Sequence, residues 1–364
     1  MSLRVAICLL AVLRAAQCDS SDSLDSSHKL HFQKVDALAA RAVASIKGHE
    51  GYAAVGNEDD LFAEQGFWFS HFAIGASQDL EILIDTGSSD AILNPGVYRP
   101  SSSSQDTGRP FEISYATTNP DGSGRLTASG QAYRDVISQH GADLAVNQQA
   151  LGDIRKPTTP PTFPRDGLIG YADRGSALGA SSFIHSLCDQ GSLSSCRFGL
   201  ALKTDQTGEL YYGTVPADLF AGSLATVPIQ GEWAVFGALT LNGKTVWADV
   251  KLITDSGTTV IFGPTEQVSH LFQKAGIEAV RTQNGITGYY KCSAPPKIGF
   301  SLGGRNFNVL PEALAFANKG DNCTTSVRGS DAFGNNWLVG QPFFQGRYID
   351  HSIRDGTMGF ADLK

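Results

Sequence analysis

The sequence contains little charge and no excess of basic residues. Only 18% of its 364 residues are charged, and the formal net charge is −8. Proteins that bind nucleic acid need basic clusters to neutralise phosphates, so we expect no nucleic-acid partner. The eight histidines and six cysteines show no metal-ligand spacing, so we expect neither a metal site nor any other cofactor.

Apolar runs long enough to span a bilayer are also missing. One short apolar stretch, residues 5–13, follows Arg4 and precedes Ala16-Gln17-Cys18, an order typical of a secretory signal. A membrane anchor is the alternative, but the stretch is too short and Arg14 interrupts it. We therefore expect a signal peptide at residues 1–18, no membrane anchor, and a secreted or, alternatively, vacuolar protein.

Cysteine is scarce, and its count is even once the two residues in the signal are removed. In an oxidising compartment the remaining residues are expected to form two disulfides. Cys188 and Cys196 are close in sequence, which favours local pairing among the three possible connectivities. Asn322-Cys323-Thr324 matches the acceptor pattern for N-glycosylation, which makes Asn322 a candidate site. The four remaining cysteines are Cys188, Cys196, Cys292 and Cys323.

A basic segment follows the signal. Residues 26–49 contain four lysines and arginines against Asp36 alone, whereas the whole chain is acidic. The apolar residues Leu30, Val35, Leu38 and Val43 fall roughly on one face of a helix. We interpret residues 19–55 as a propeptide that inhibits its own chain until carboxylates are protonated. A disordered linker is the alternative.

The rest of the chain has the pattern of a β-rich protein. It contains 40 glycines, and short runs of β-branched and aromatic residues alternate with turn residues. Strands are predicted at 67–75, 78–85, 111–115, 209–212, 233–241 and 251–254. The few helical candidates, each opened by Ser or Pro, are 181–190, 216–221, 264–275 and 311–317.

The two halves of this β-rich region contain the same pair of motifs. Ile84-Asp85-Thr86-Gly87-Ser88 matches Thr254-Asp255-Ser256-Gly257-Thr258, and Leu168-Ile169-Gly170 matches Leu338-Val339-Gly340. The distance from the aspartate to the last glycine is 85 residues in both halves. This repeat predicts two similar lobes, with one aspartate from each meeting at their junction.

Two carboxyl groups in hydrogen-bond contact cannot both ionise cheaply, so Asp85 and Asp255 are expected to share one proton. The charged member can then act as a base towards water, and the protonated member can act as an acid. Around each aspartate the motif supplies a hydroxyl to link the two loops, a glycine for close approach, and a hydroxyl for the outer carboxylate oxygen. These residues are Thr86, Gly87 and Ser88 in the first motif and Ser256, Gly257 and Thr258 in the second.

Beyond residue 60 the chain resembles the pepsin-like aspartic endopeptidases, particularly the fungal-type secreted or vacuolar acid proteases. Besides both aspartate motifs, the resemblance rests on the segments 166–170, 231–233, 337–340 and 111–115. It implies an all-β, bilobal fold with an N-terminal lobe at 56–225 and a C-terminal lobe at 226–364. It also implies a monomer that cuts polypeptides, and a disulfide between Cys292 and Cys323.

The resemblance makes residues 111–115 part of a flap over the substrate, with Tyr115, Ala116 and Thr117 at the flap. It also implies that Leu83 and Leu168 line an apolar subsite beside the bond that is cut. The chain departs from the family in three places: Ala116 replaces a usual glycine, Ile92 a tryptophan that bonds the flap tyrosine, and Gln341 a frequent aspartate.

The predicted function is therefore that of an aspartic endopeptidase that works at acid pH and prefers hydrophobic residues beside the cut. The alternative from another class is a non-catalytic binding protein with the same fold, although both aspartates are present. A serine hydrolase is the second alternative, because Asp255-Ser256-Gly257 superficially resembles a serine motif. Thr86 at the matching position and the lack of a placed histidine argue against that reading.

Overall fold

Two β-sheets hold most of the residues that the computed structural model describes, which are 58–157, 163–172, 176–231, 233–282 and 285–364. The predicted signal peptide and propeptide lie outside these residues, as does Glu232. The lobe boundary between residues 225 and 226 stays a proposal. The all-β prediction is confirmed by the two sheets.

The first sheet has 13 strands in the order β11-β24-β23-β9-β10-β1-β2-β3-β8-β4-β7-β6-β5. It contains strands from both ends of the described chain, because β23 pairs with β9. The strands are β1 (Glu58–Glu64), β2 (Phe67–Ile74), β3 (Ser77–Asp85), β4 (Ala91–Leu93), β5 (Gln105–Ala116), β6 (Arg125–Gln139), β7 (Leu144–Pro157), β8 (Gly167–Gly170), β9 (Arg197–Leu202), β10 (Thr207–Tyr212), β11 (Ala225–Pro228), β23 (Arg347–Ser352) and β24 (Thr357–Asp362).

The second sheet has 11 strands in the order β18-β17-β12-β13-β22-β14-β21-β16-β20-β19, with β15 paired to β16. The strands are β12 (Ala234–Leu241), β13 (Lys244–Thr254), β14 (Ile261–Gly263), β15 (Glu278–Thr282), β16 (Gly285–Lys291), β17 (Ile298–Leu302), β18 (Arg305–Asn308), β19 (Ala315–Lys319), β20 (Asn322–Thr325), β21 (Val327–Gly329) and β22 (Asn336–Val339).

The sequence repeat corresponds to a repeated arrangement of three strands. β3 lies parallel to β8, which pairs antiparallel with β4, and β13, β22 and β14 repeat this pattern. The glycine that ends each repeat lies against the aspartate-bearing loop of the same half of the chain. A Cβ on Gly170 would lie 2.3 Å from the Ser88 carbonyl oxygen, and one on Gly340 would lie 2.2 Å from that of Thr258. Only glycine therefore lets these segments pass so close to the loops.

Strand β3 is buried on both of its faces near Asp85. Ile82 and Ile84 are fully buried in the main core, where each contributes roughly 1.5–3 kcal/mol. Leu83 points to the other face and joins a smaller apolar cluster with Tyr115 and Leu168. The alternation of side chains along the strand thus holds Asp85 rigidly and places Leu83 beside it.

Four short helices and one 3-10 turn accompany the sheets in the described residues. The predicted helices at 181–190 and 264–275 are confirmed, and the one at 311–317 forms only its first turn before β19 begins. The helix predicted at 216–221 is wrong. There the backbone of Phe220 pairs with Leu363 while its ring stacks on Tyr348, so contacts distant in sequence override the local signal. The helices are α1 (Phe183–Asp189), α2 (Thr265–Ala275), α3 (Pro311–Leu314) and α4 (Gln341–Phe344), and the 3-10 turn is Asp331–Phe333.

Both expected disulfides are present. Cys188 at the end of α1 pairs with Cys196, and Cys292 pairs with Cys323 on β20. Within the described residues, none of the helices is long and apolar enough to cross a membrane. Across the same residues, no group of three or more His, Cys, Asp or Glu side chains is placed to hold a metal ion.

A buried polar network lies within the first sheet. Asp59 on β1 accepts hydrogen bonds from the Ser70 hydroxyl and from Gln139 Nε2, the latter at 2.7 Å. Gln139 Oε1 in turn accepts one from Tyr212. Burial raises the pKa of Asp59 to about 7 in spite of these donors, and burial also raises the pKa of Asp350 to about 6. The fold therefore holds two carboxyls that favour their neutral form.

We expect the free energy of unfolding to fall as the pH rises from about 4 to 7. Well below pH 4 both carboxyls are protonated in the folded and the unfolded chain. As the pH rises the unfolded chain releases these protons first, while the folded chain keeps them until its raised pKa values of about 7 and 6 are reached. For Asp59 the loss amounts to about 4 kcal/mol at most. Urea unfolding at a series of pH values measures it.

The variant Asp59→Asn tests the origin of this loss, because it cannot ionise at the same position. Its stability should depend less on pH than that of the unmodified chain. Asp79→Asn is the control, since the side chain of Asp79 is 82% exposed. An equally steep decline in the Asp59 variant would contradict the assignment.

Candidate active site

Asp85 and Asp255 meet where the two sheets approach each other. Asp85 is the last residue of β3, and Asp255 directly follows β13. Their side chains are joined by a hydrogen bond, and they are only 3% and 1% exposed. The structure thus brings together the two residues that the sequence repeat singled out, although they are far apart in the chain.

The loops that carry the aspartates are cross-linked by reciprocal hydrogen bonds. The Thr86 amide donates to Ser256 Oγ at 3.0 Å, and the Ser256 amide donates to Thr86 Oγ1 at 2.9 Å. Each hydroxyl also donates across the junction, Thr86 to the Thr254 carbonyl at 3.2 Å and Ser256 to the Ile84 carbonyl at 2.7 Å. All four bonds are buried, so they fix the position of one loop relative to the other.

Gly87 and Gly257 permit the close approach of the two carboxyls. A Cβ on Gly87 would lie 2.6 Å from Asp255 Cγ, and a Cβ on Gly257 would lie 2.4 Å from Asp85 Oδ1. Any side chain at these positions would therefore displace the opposite aspartate. The backbone amide of each glycine also donates to Oδ1 of the aspartate in its own loop, at 2.8 Å in both cases.

The outer oxygens of the two carboxyls are held by hydroxyl groups. Ser88 Oγ donates to Asp85 Oδ2 at 2.5 Å, and Thr258 Oγ1 donates to Asp255 Oδ2 at 2.7 Å. Each carboxyl is therefore fixed by one amide and one hydroxyl in the same arrangement. This matched set of donors gives the pair an approximate two-fold symmetry.

Burial dominates the electrostatics of the pair. It raises the pKa of Asp85, although the donors from Ser88 and Gly87 partly oppose this. The pKa of Asp255 is raised well above its usual range, first by burial and then by the charge of Asp85. The charge of Asp85 thus makes ionisation of Asp255 more costly, while the hydrogen bond with Asp255 favours the ionised form of Asp85. The pair therefore retains one proton where isolated aspartates would have none. Such a pair contains both an acid and a base.

The hairpin of β5 and β6, which contains the predicted flap residues, lies over the pair. Tyr115, Ala116 and Thr117 line the space above Asp85 and Asp255, together with Leu83 and Leu168. All five residues predicted for the flap and the subsite therefore lie around the same cleft. The enclosed space is about 20 Å³, which holds about one water and no peptide side chain. The flap must move away before a polypeptide can enter.

The cleft is also lined by four residues that sequence reasoning did not single out. Phe163 packs edge-on against Tyr115, with ring centroids 5.0 Å apart. The buried hydroxyl of Thr118 has no hydrogen-bond partner among the residues that the structure describes. Thr118 adjoins the predicted flap residues, so its position in sequence was a usable signal. The four residues are Phe67, Thr118, Phe163 and Pro164.

Ile92 leaves the flap tyrosine without the tryptophan partner that is usual in the family, as the sequence suggested. It is fully buried beside Leu168 in the strand register and offers no hydrogen-bond donor. The buried hydroxyl of Tyr115 forms no hydrogen bond within the described residues. Burial and the nearby charges of Asp90 and Asp85 raise the pKa of Tyr115 well above its usual range, although Ser88 is near enough to lower it slightly. The tyrosine is therefore held by packing.

Gln341 and Asp90 support the site from behind, and sequence reasoning gave neither of them a role. The Gln341 side chain accepts a hydrogen bond from the Trp68 indole and donates to the Ser256 carbonyl at 3.4 Å, which connects β2 to the Asp255 loop. Asp90 accepts hydrogen bonds from the amides of Ala177 and Leu178, at 2.9 and 3.1 Å. The hydrogen-bond partners of Gln341 and of Asp90 are all distant from them in sequence.

Comparison with known proteins agrees with this geometry. The family model described as eukaryotic aspartyl protease matches residues 67–363. The chain is 29% identical over 320 residues to an aspartic protease of Phaffia rhodozyma, which covers 82% of this chain and 76% of that protein. It is also 29% identical over 317 residues to secreted aspartyl protease 1 of Malassezia globosa, covering 83% of this chain and 75% of the relative. Pepsin A of Sus scrofa is 26% identical over 322 residues, which is 81% of each chain.

The fold comparison leads to the same group. The crystal structure of an aspartic proteinase from Irpex lacteus superposes with a TM-score of 0.71 at 17% identity, covering 84% of this chain and 97% of that one. This likeness confirms the predicted bilobal, pepsin-like fold. The family model spans most of the chain, from β2 to the residue after β24. The chain therefore belongs to the eukaryotic aspartyl protease family and is an aspartic-type endopeptidase.

Proposed function

We propose that this chain hydrolyses peptide bonds of polypeptides at acid pH by activating a water between Asp85 and Asp255. The observation that carries the proposal is the hydrogen-bonded contact of the two buried carboxyls, each supported by its own amide and hydroxyl donors. No metal or nucleophilic side chain is needed, because the carboxyl pair supplies both proton donor and acceptor.

The proposed reaction moves two protons through the pair. The ionised carboxyl accepts a proton from the water as its oxygen attacks the peptide carbonyl carbon. The protonated carboxyl at the same time donates to the carbonyl oxygen, so the negative charge that develops there is neutralised. The carboxyl that took the proton from water then gives it to the amide nitrogen as the C–N bond breaks. The other carboxyl takes a proton back from a hydroxyl of the diol as its C=O bond re-forms, so the pair again holds one proton. Both carboxyls must remain in contact throughout, which is the contribution of the loop cross-links and of Gly87 and Gly257.

Tyr115, Ala116 and Thr117 would close over an extended peptide, and Leu83 and Leu168 would receive an apolar side chain next to the cut. Leu83 and Leu168 are buried in one apolar cluster with Tyr115, which supports this assignment. The peptide would lie along the flap in β fashion, so alternate side chains would enter the pockets of the cleft.

Secretion, self-inhibition and glycosylation are further parts of the proposal. The sequence of residues 1–18 supports export, and the basic character of 26–49 supports an inhibitory propeptide within 19–55. Asn322 is exposed at the start of β20, which supports its accessibility to glycosylation. We further propose that the mature protein is a monomer, either extracellular or vacuolar.

Asp85→Asn and Asp255→Asn should each lower kcat by at least about a hundredfold, because an amide can neither give nor take the shared proton. The measurement is turnover of a denatured protein substrate after activation. Asp79→Asn is the control, since its side chain is 82% exposed and belongs to the same strand as Asp85. Unmodified protein without turnover would favour the alternative of a non-catalytic binding protein.

Activity should be high at about pH 3.5 and low at pH 7. The reaction needs one proton on the pair, and at the higher pH the second carboxyl also ionises. Because the pKa values of Asp85 and Asp255 are raised, the enzyme should stay active to a higher pH than it would with ordinary aspartates. Activity should still be lost once both carboxyls are ionised. The sample is then returned to pH 3.5 and its activity is measured again. Full recovery indicates that the loss at pH 7 came from deprotonation of the pair and not from irreversible unfolding. Equal rates at both pH values in folded protein contradict the shared proton.

Cleavage of a mixed peptide library at about pH 3.5 should be enriched in bulky apolar residues next to the cut, because Leu83 and Leu168 favour them. Mass spectrometry of the products identifies the preferred residues. The matched sample contains the Asp255→Asn variant, which should yield no such products. Cuts without any apolar preference would show that these leucines do not form the subsite.

A further inference from the structure

Arg328 on β21 is a largely buried cation in the second half of the molecule. Its Nη1 donates hydrogen bonds to the Thr287 hydroxyl at 2.7 Å and to the Thr325 carbonyl. The guanidinium carbon lies 4.9 Å from the centre of the Phe316 ring. Among the described residues no carboxylate forms an ion pair with it, and its Nε and Nη2 donate no hydrogen bond. Neutral groups alone therefore hold the charge, although a buried charge is usually paired.

The guanidinium lies near the Asp255 loop. Arg328 is the register partner of Phe262 on the parallel strand β14, so both side chains point to the same face of the sheet. The hydrogen bond to Thr325 turns the arginine side chain back along β21. Because β14 follows the Asp255 loop and runs parallel to β21, this direction leads towards that loop.

The flap tip, which is the turn of residues 117–124 between β5 and β6, covers this face of the sheet. A Cβ on Gly122 would lie only 2.4 Å from Val260 Cγ2 and 3.0 Å from Phe262 Cζ. The flap must lift before a polypeptide can enter the cleft. The substrate then takes the place of the flap tip, beside Phe262 and the neighbouring Arg328.

The carboxylate nearest to the guanidinium belongs to the flap tip itself. Burial lowers the pKa of Arg328 to about 10, while Asp121 and Tyr289 raise it in part. Asp121 Oδ1 accepts hydrogen bonds from the Ser123 amide at 2.9 Å and from its hydroxyl at 2.5 Å, so this carboxylate is bonded within the tip. It moves away when the flap lifts, whereas the arginine stays charged at acid pH. An open cleft thus presents a cation without a nearby carboxylate among the described residues.

We propose that Arg328 is a specificity-determining residue that binds a carboxylate side chain of the substrate. The inference rests on the proposed function and narrows the substrate class to polypeptides with an acidic residue near the cut. Nε and Nη2 lie on one edge of the guanidinium and can donate two parallel hydrogen bonds to one carboxylate. The contacts of Nη1 and the Phe316 ring hold the guanidinium in place for this.

The acidic residue should be the direct neighbour of the apolar residue in the substrate. Leu83 and Leu168 belong to the first sheet and Arg328 to the second, so the two sites lie on opposite walls of the cleft. Successive side chains of an extended peptide point in opposite directions. A peptide whose apolar side chain enters the first wall therefore turns the adjacent side chain towards the second.

The test begins with cleavage of a peptide library at about pH 4.5, where most aspartate side chains are ionised. Acidic residues should be enriched beside the apolar residue. Two peptides with Asp or Asn at that position are then compared, and kcat/KM should be about tenfold higher for the Asp peptide, as expected for a charged hydrogen-bonded contact. The ratio should fall to about twofold at pH 3, where the substrate carboxyl is mostly protonated.

Two variants assign the preference to the guanidinium. Arg328→Gln removes the charge and should abolish the preference for Asp over Asn, whereas Arg328→Lys keeps the charge without the paired donors and should retain about threefold. Arg305→Gln is the matched control and should leave the preference unchanged. Arg305 is exposed and likewise lies over a phenylalanine ring, 5.3 Å from its centre. Thermal unfolding midpoints identify any variant that is damaged in folding.

Three results would overturn the inference. They are an active unmodified protein that cleaves both peptides equally, an Asp preference that is the same at pH 3 and pH 4.5, and an undiminished preference in folded Arg328→Gln. Unmodified protein without turnover overturns the proposed function instead. Calorimetric binding of the two peptides at pH 4.5 then decides the inference separately: a Kd about tenfold lower for the Asp peptide supports it, and equal Kd values overturn it.

Discussion

Four hydrogen bonds between the Thr86 and Ser256 loops determine how the two halves of this molecule meet. They are formed between loops that are 170 residues apart, and each loop offers the other both a hydroxyl and a backbone group. Because the bonds are buried, breaking any of them leaves a polar group without water or partner. The distance between Asp85 and Asp255 is thus set by backbone and hydroxyl groups that do not take part in the chemistry.

The same physical effect, burial of carboxyl groups, acts at the site and in the fold. Burial favours a proton on the pair of Asp85 and Asp255, where the proposed reaction needs it. It also favours the neutral forms of Asp59 and Asp350, where it affects stability alone. Acid conditions should therefore suit both the proposed reaction and the folded state, and a move towards neutral pH should weaken both for related reasons.

Much of the site could be predicted because it depends on a short motif that occurs twice. The repeat located Asp85 and Asp255, and the close approach at Gly170 and Gly340 explains why each aliphatic-aliphatic segment ends in a glycine. The helix expected at 216–221 failed because Phe220 pairs with a residue far along the chain.

Residues whose role depends on distant partners left no local signal. Gln341 accepts a hydrogen bond from the Trp68 indole and donates one to the Ser256 carbonyl. No short stretch of sequence contains all three residues. Phe163 packs edge-on against Tyr115, which lies far from it in the sequence. Local patterns thus revealed the chemistry, whereas the shape of the cleft required tertiary structure.

The position of β23 next to β9 has a consequence for biosynthesis. β9 is almost entirely buried, with β10 on one edge and β23 on the other. A ribosome makes β23 long after β9, so one edge of an apolar strand stays uncovered while the second half is translated. Exposed strand edges pair readily with other chains. Until residue 352 has been translated, this edge of β9 is therefore open to pairing with other chains.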